Sequence, residues 1–219
     1  SGDTQKYQKF LKRTFRSINK TGINHLVLDL RRNQGGASTW GNLLLEYLTN
    51  DIYTPIKHMD IKSSPQVKQY YLGLFPPMLR WLPLARLHPV LKLLNAVQEG
   101  ESAGFTPTPV YPTGKSPQYK GKLTVLTGSG TSDSASLLAA VIHQLERGRL
   151  IGEPCGGMAS SYGLRLTVHL PHTGLSAILP AAVIEGPSAG EVTADIHVKQ
   201  TVTDLAALKD TVLETALRQ

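Results

Sequence analysis

Residues 120–144 constrain the fold more than any other stretch. They read KGKLTVLTG, then SGTSDSAS, then LLAAVIHQ. An apolar run bounded by glycine predicts a buried strand over 120–128. The segment SDSASLLAAVIHQLER predicts a helix directly after it. A strand that passes into a helix through a few small residues is an α/β unit, and such units bury their strands in parallel sheets.

A second unit of the same kind lies earlier. INHLVLDL (23–30) is an apolar run that predicts a buried strand, RRNQGG is a turn with two glycines, and STWGNLLLEYLTN predicts a helix capped by Ser38 or Thr39. Ahead of it, Tyr7, Phe10, Leu11, Phe15 and Ile18 form one stripe on a helix over 4–19. After the second unit, GRLIGEP predicts a short third strand. YGLRLTVHLP and GLSAILPAAVI alternate around a turn at HTG and predict an antiparallel hairpin. DIHV (195–198) predicts a last short strand, and DLAALKDTVLETALRQ a closing amphipathic helix capped by Asp204.

The middle of the chain has a different character. Between residues 52 and 121, proline recurs ten times, and MLRWLPLARLHPVLKLLNAV is apolar but interrupted by Pro83 and Pro89. Short helices in a flap or lid, or a cap packed on the core, are the expected outcomes. The organisation expected is therefore a first part of the core over 1–51, an insertion over 52–118 and a second part of the core over 119–219.

Composition narrows the function. The chain has 219 residues, enough to bury a sizeable core, with 41% hydrophobic and 18% charged residues. Its net charge is +7, from 23 Lys+Arg against 16 Asp+Glu, but the cations are scattered and few aromatics lie among them. That pattern argues against nucleic acid as a partner. Peripheral contact with an anionic membrane fits the charge at least as well, through Met78–Val97 with Arg80, Arg86 and Lys92 near headgroups. The single cysteine, Cys155, rules out an internal disulfide. Neither a spanning helix nor a signal peptide is expected within these residues, and no His/Cys/Asp/Glu cluster implies a metal or cofactor.

Two segments could carry chemistry. A strand ending in paired glycines leaves backbone N–H groups uncovered, so Gly35 and Gly36 could donate to a developing oxyanion. The alternative is a tight turn without a ligand. The hydroxyls at the entry of the second helix sit beside further N–H donors and a helix dipole, where Ser132 or Ser134 could act as a nucleophile. Taken alone, that segment favours N-capping by Ser132 or Asp133. Two such tips in one sheet, aimed at the same edge, strengthen the reading as a site. Glu153, at the end of the third strand, could orient a base. None of the seven histidines has a diagnostic context, and Cys155 has no activating neighbour close in sequence.

In order, HLVLDLRRNQGG, KLTVLTGSGTSDSASLLAAVIHQLERGRLIGEPCGG, YGLRLTVHLP and ADIHV resemble the C-terminal processing peptidases, the tail-specific serine proteases to which retinoid-binding interphotoreceptor modules are related. The resemblance covers residues 23–48 and 119–217. It implies a crotonase/ClpP-like α/β core of ββα units, with the proline-rich helical flap inserted and a C-terminal β-hairpin plus helix. It also implies a serine acyl-enzyme, peptide or protein substrates, and a bacterial cell-envelope location, periplasmic or extracytoplasmic. It leaves room for a homo-oligomer.

Carried over by position, the resemblance places the oxyanion donors at Gly35, Gly36 and Ala135. Its serine column falls on Asp133, flanked by Ser132 and Ser134, and Ser134 matches the second of two serines that many relatives carry. Ser134 is thus the expected nucleophile, with Ser132 second. The lysine column of the classical bacterial members falls on Met158, so a Ser–Lys dyad is not expected. The chain resembles the lysine-free branch, which has GEPTGG ahead of a Tyr-Gly strand. Tricorn-type relatives take a histidine from an earlier segment, which would lie before Ser1, and a late glutamate near the position of Glu191. A core of this type that holds a peptide or an apolar ligand without cleaving it is the alternative expectation.

Overall fold

The computed structural model describes residues 2–79, 88–114 and 117–219. They form two compact units. One comprises Ser1–Pro55, Pro109–Ala159 and Pro187–Gln219, and the other Ile56–Thr108 and Ser160–Gly186.

The first unit carries the sheet predicted from the two strand–helix segments. Its strands are β1 (His25–Asp29), β4 (Lys122–Thr127), β5 (Arg149–Gly152) and β8 (Ile196–His197), in the order β1-β4-β5-β8. All three pairings are parallel. Alternate residues of β4 face opposite layers, as a strand requires. Leu123 and Val125 join a core with Leu11 and Phe15 of α1 (Gly2–Lys20), Leu45 of α2 (Ser38–Leu45) and Val141 and Ile142 of α5 (Ser134–Gln144). Leu126 joins Ile151 and, from α7 (Thr211–Leu217), Val212 and Ala216 on the other side. A strand covered on both faces explains why KLTVLT shows no polar alternation. Truncating Leu126, fully buried, to alanine would cost about 2–5 kcal/mol. β1 is only half-buried, because it is the edge strand of its sheet.

Three local expectations change. The N-cap of α2 is Ala37, with no side-chain cap bond, so Ser38 and Thr39 lie inside the helix rather than before it. The closing segment forms two helices, α6 (Val202–Ala206) and α7, separated at Leu208, whose φ is 53°. Asp204 does not cap the segment. Thr201 does, and Asp204 is its capping-box partner, while Asp210 caps α7 by accepting from the Leu213 N–H at 2.9 Å.

The second unit joins most of the expected insertion to the hairpin. β6 (Ser161–His169) and β7 (Ser176–Glu185) form the antiparallel pair around Gly174. β2 (His58–Lys62) and β3 (Ser102–Phe105), which the sequence analysis did not anticipate, extend it in the order β3-β2-β7-β6. Pro89, which reads as a helix breaker, instead begins a helix, α4 (Pro89–Ala96), and Pro65 likewise opens α3 (Pro65–Gly73). The first helical position needs no N–H, so proline fits there. Ile61, Val67, Leu94 and Ala182 make a core of their own. Arg80, Pro83 and Arg86 lie outside the described residues.

Candidate active site

The parallel register of β1 and β4 brings both glycine-rich tips to the carboxyl edge of one sheet. Thr131 fastens them. Its buried hydroxyl donates to the Leu30 carbonyl at 2.8 Å and accepts from the Gly128 N–H at 3.1 Å. The Ser132 N–H donates to the Asn33 carbonyl at 3.1 Å. A third loop closes the group, with the Gly157 N–H donating to the Thr131 carbonyl at 3.1 Å.

The glycines here are required by close approach. A Cβ at Gly35 would stand 2.7 Å from Asp133 Cβ and 2.8 Å from the Ser134 nitrogen, and φ at Gly35 is +87°. A Cβ at Gly157 would stand 2.9 Å from the Asp133 nitrogen. Asp133, gripped between them, has φ 53° and ψ −128°. A non-glycine residue held there costs about 1–3 kcal/mol, and such strain gathers at functional sites. Asp133 occupies the N-cap position of α5 but makes no side-chain cap bond, so simple capping does not account for it.

Ser134 is the first helical residue, partly buried. It lines a cavity of about 390 Å³ together with Gly35, Gly36 and Ala135. Ser132, Asp133 and Glu153 do not line it. The site residues expected from sequence therefore divide. Glu153 lines a larger cavity of about 1200 Å³ with Asp29, Arg31, Lys209 and Asp210. Its backbone is tied to Thr127, whose hydroxyl donates to the Glu153 carbonyl at 2.8 Å.

Of the three expected backbone donors, two are already engaged. The Gly35 N–H donates to Asn33 Oδ1 at 2.9 Å, and the Ala135 N–H to the Ser132 carbonyl at 3.1 Å. The Gly36 N–H donates to no group among the described residues.

Among the described residues lining the smaller cavity there is no histidine, lysine or arginine. His25 pairs with Thr124 at 2.9 Å, His143 with Asp195 at 2.9 Å and His169 with Ser176 at 2.8 Å. Burial raises the Cys155 thiol above its ordinary range, and nearby Glu191 adds to this, which leaves it a poor nucleophile. Among the described residues no His/Cys/Asp/Glu group could hold a metal.

The profile of peptidase family S41 matches residues 3–198. The chain belongs to peptidase family S41. Solved structures similar to this S41 chain include mature CPAF, 17% identical over 97% of this chain and 47% of that one, with a TM-score of 0.67. The photosystem II D1 C-terminal processing protease is 17% identical over 87% of this chain and 38% of that one, with a TM-score of 0.53. A protein of Bacteroides fragilis NCTC 9343 described as an S41 protease is 19% identical over 98% of this chain and 49% of that one, with a TM-score of 0.56. At such identities the likeness is one of fold. The S41 chain spans less than half the length of each of these three proteins. No curated protein sequence matches it.

Sequence reasoning missed Thr131, Asn33 and Gly157, whose hydrogen bonds and close contacts hold the two tips together. Asn33 sat in plain view, two residues before the first glycine of RRNQGG, a spacing typical of a side chain that accepts from its own turn.

Proposed function

We propose that this chain is the core of a serine-type endopeptidase of the tail-specific kind, with Ser134 as nucleophile. One observation carries the reading: Ser134 shares a cavity with the uncommitted Gly36 N–H at the edge where two strand tips meet. Ser134 Oγ attacks the peptide carbonyl carbon, and the carbonyl π pair moves onto oxygen, which accepts a hydrogen bond from the Gly36 N–H. Collapse of that intermediate expels the amine, which takes a proton. Water then attacks the ester, releasing the acid and regenerating Ser134. The proton leaving Ser134 goes to a base outside the described residues of this cavity. Glu153, in the neighbouring cavity, supports the wall formed by Thr127 rather than touching the reacting atoms.

The substrate is a peptide or protein, and the natural setting is the bacterial cell envelope. None of the described helices is long and apolar enough to cross a membrane. Contact with a membrane surface through Met78–Val97 and assembly into a homo-oligomer are compatible extensions. Nucleic acid is not assigned as a partner, and no cofactor enters the mechanism.

A second reading is favoured by Asp133. The strained, exposed apex presents a carboxylate rather than a hydroxyl, which fits a core that holds a peptide without cutting it. Peptides with free and with amidated C-termini, incubated with the chain in its parent protein, separate the two. Cleavage of the free form that is lost in Ser134→Ala supports the peptidase. Binding without cleavage in both forms supports the holder.

A further inference from the structure

The cavity beside Ser134 has a wall chemistry of its own. Tyr7 and Trp40 meet across it with ring centroids 4.7 Å apart, and Phe10 stacks behind Tyr7 at 6.2 Å. Leu28, Leu44 and Leu138 complete the apolar lining. The one carboxylate on the wall, Asp29, is held by Arg31, with Nε 3.0 Å from Oδ1 and Nη2 2.7 Å from Oδ2. Arg31, which also pairs with Asp210, thus engages the one charged side chain on the wall. Gly41 opens space in the α2 face. A Cβ there would stand 3.8 Å from Leu138, an ordinary van der Waals distance, so a methyl group fits against that neighbour and larger groups would project into the space beside it.

We infer that this cavity is the specificity pocket for the residue whose carbonyl Ser134 attacks, and that it selects a large apolar side chain, aromatic or leucine-like. The inference rests on the reading of Ser134 as nucleophile. An apolar side chain gains from leaving water for this lining, whereas a carboxylate or ammonium would be desolvated there with no free countercharge, Asp29 being engaged by Arg31. The volume of about 390 Å³ admits a benzyl group and leaves a methyl group poorly packed.

The test uses the parent protein and a series of peptidyl diphenyl phosphonates that differ only in the side chain next to phosphorus: Phe, Leu, Ala, Asp and Lys. The rate of Ser134 modification is followed by intact mass. Phe and Leu should react at least about tenfold faster than Ala, and Asp and Lys more slowly still. Gly41→Leu should reverse the order of Phe and Ala, and a small ethyl fluorophosphonate on the parent protein reports whether Ser134 is reactive at all. Trp40→Ala should reduce the Phe advantage, and serves if the first variant fails to fold. A flat profile, or a preference for Asp or Lys, overturns the inference while the peptidase reading stands. If the ethyl probe fails everywhere, the peptidase reading fails. The pocket is then judged by ligand-observed NMR with N-acetyl-phenylalanine amide. Saturation transfer to the phenyl ring that disappears in Gly41→Leu sustains it, and no transfer from the parent protein overturns it.

Discussion

Gly35 lies so close to Asp133 that a Cβ on the glycine would stand 2.7 Å from the aspartate's own Cβ. Two loops separated by nearly a hundred residues in sequence are pressed together there, and neither can move without the other. Gly35→Ala meets two backbone atoms and a φ of +87°. It should destabilise the chain by about 1–3 kcal/mol in urea melts and abolish reactivity at Ser134 even where the protein remains folded.

Asp133 carries the opposite expectation. With φ at 53° and no cap bond, its backbone would be relaxed by glycine. Asp133→Gly should relieve about 1–3 kcal/mol of backbone strain against about 0.4–1 kcal/mol for the freer unfolded chain, a net stabilisation in the same melts. A loss of stability would mean that the carboxylate holds the tip together.

Asp210 joins two functions in one side chain. It caps α7, and it pairs with Arg31 at 2.7 and 2.8 Å, tying the closing helix to the tip of β1. The pair is partly exposed, so solvent screening limits its worth. Asp210→Ala should cost about 1–2 kcal/mol, most of it from the cap. The Arg31 guanidinium holds the carboxyls of Asp210 and Asp29 below the ordinary carboxylate range. Folded-state values below the unfolded ones mean a contribution that is complete above about pH 4 and fades as pH falls further. Thermal melts between pH 7 and 2.5 should show the variant and the parent sequence converging at the acid end.

Cys155 is buried and its thiol raised. Iodoacetamide should modify it slowly at pH 7.5 in the folded chain and rapidly in guanidinium. Rapid reaction in the folded state would reopen a thiol mechanism.

The parallel core was legible because both strands end in glycine and pass straight into apolar helices, a pattern that leaves few alternatives. β2 and β3 were not. HMDIK and SAGF are short; they pair with each other, and HMDIK pairs with a hairpin strand more than 120 residues away, so no local period announces them. Pro89 misled for a related reason: proline ends a helix in its interior but suits its first turn, and only the chain's path shows which applies. At the site, the glycines and hydroxyls could be read from the sequence. The strain at Asp133, the grip of Gly157 and the prior use of the Gly35 N–H depend on how distant loops meet, which spacing alone does not reveal.

The most direct measurement is covalent labelling with a fluorophosphonate, mapped by peptide mass, on the parent protein and on its Ser132→Ala, Asp133→Ser and Ser134→Ala variants. One adduct is expected, on Ser134, retained in Ser132→Ala and lost in Ser134→Ala. An adduct on Ser132, or none in the parent protein while Asp133→Ser becomes labelled at position 133, would contradict it and leave a tip that holds its peptide without cutting it.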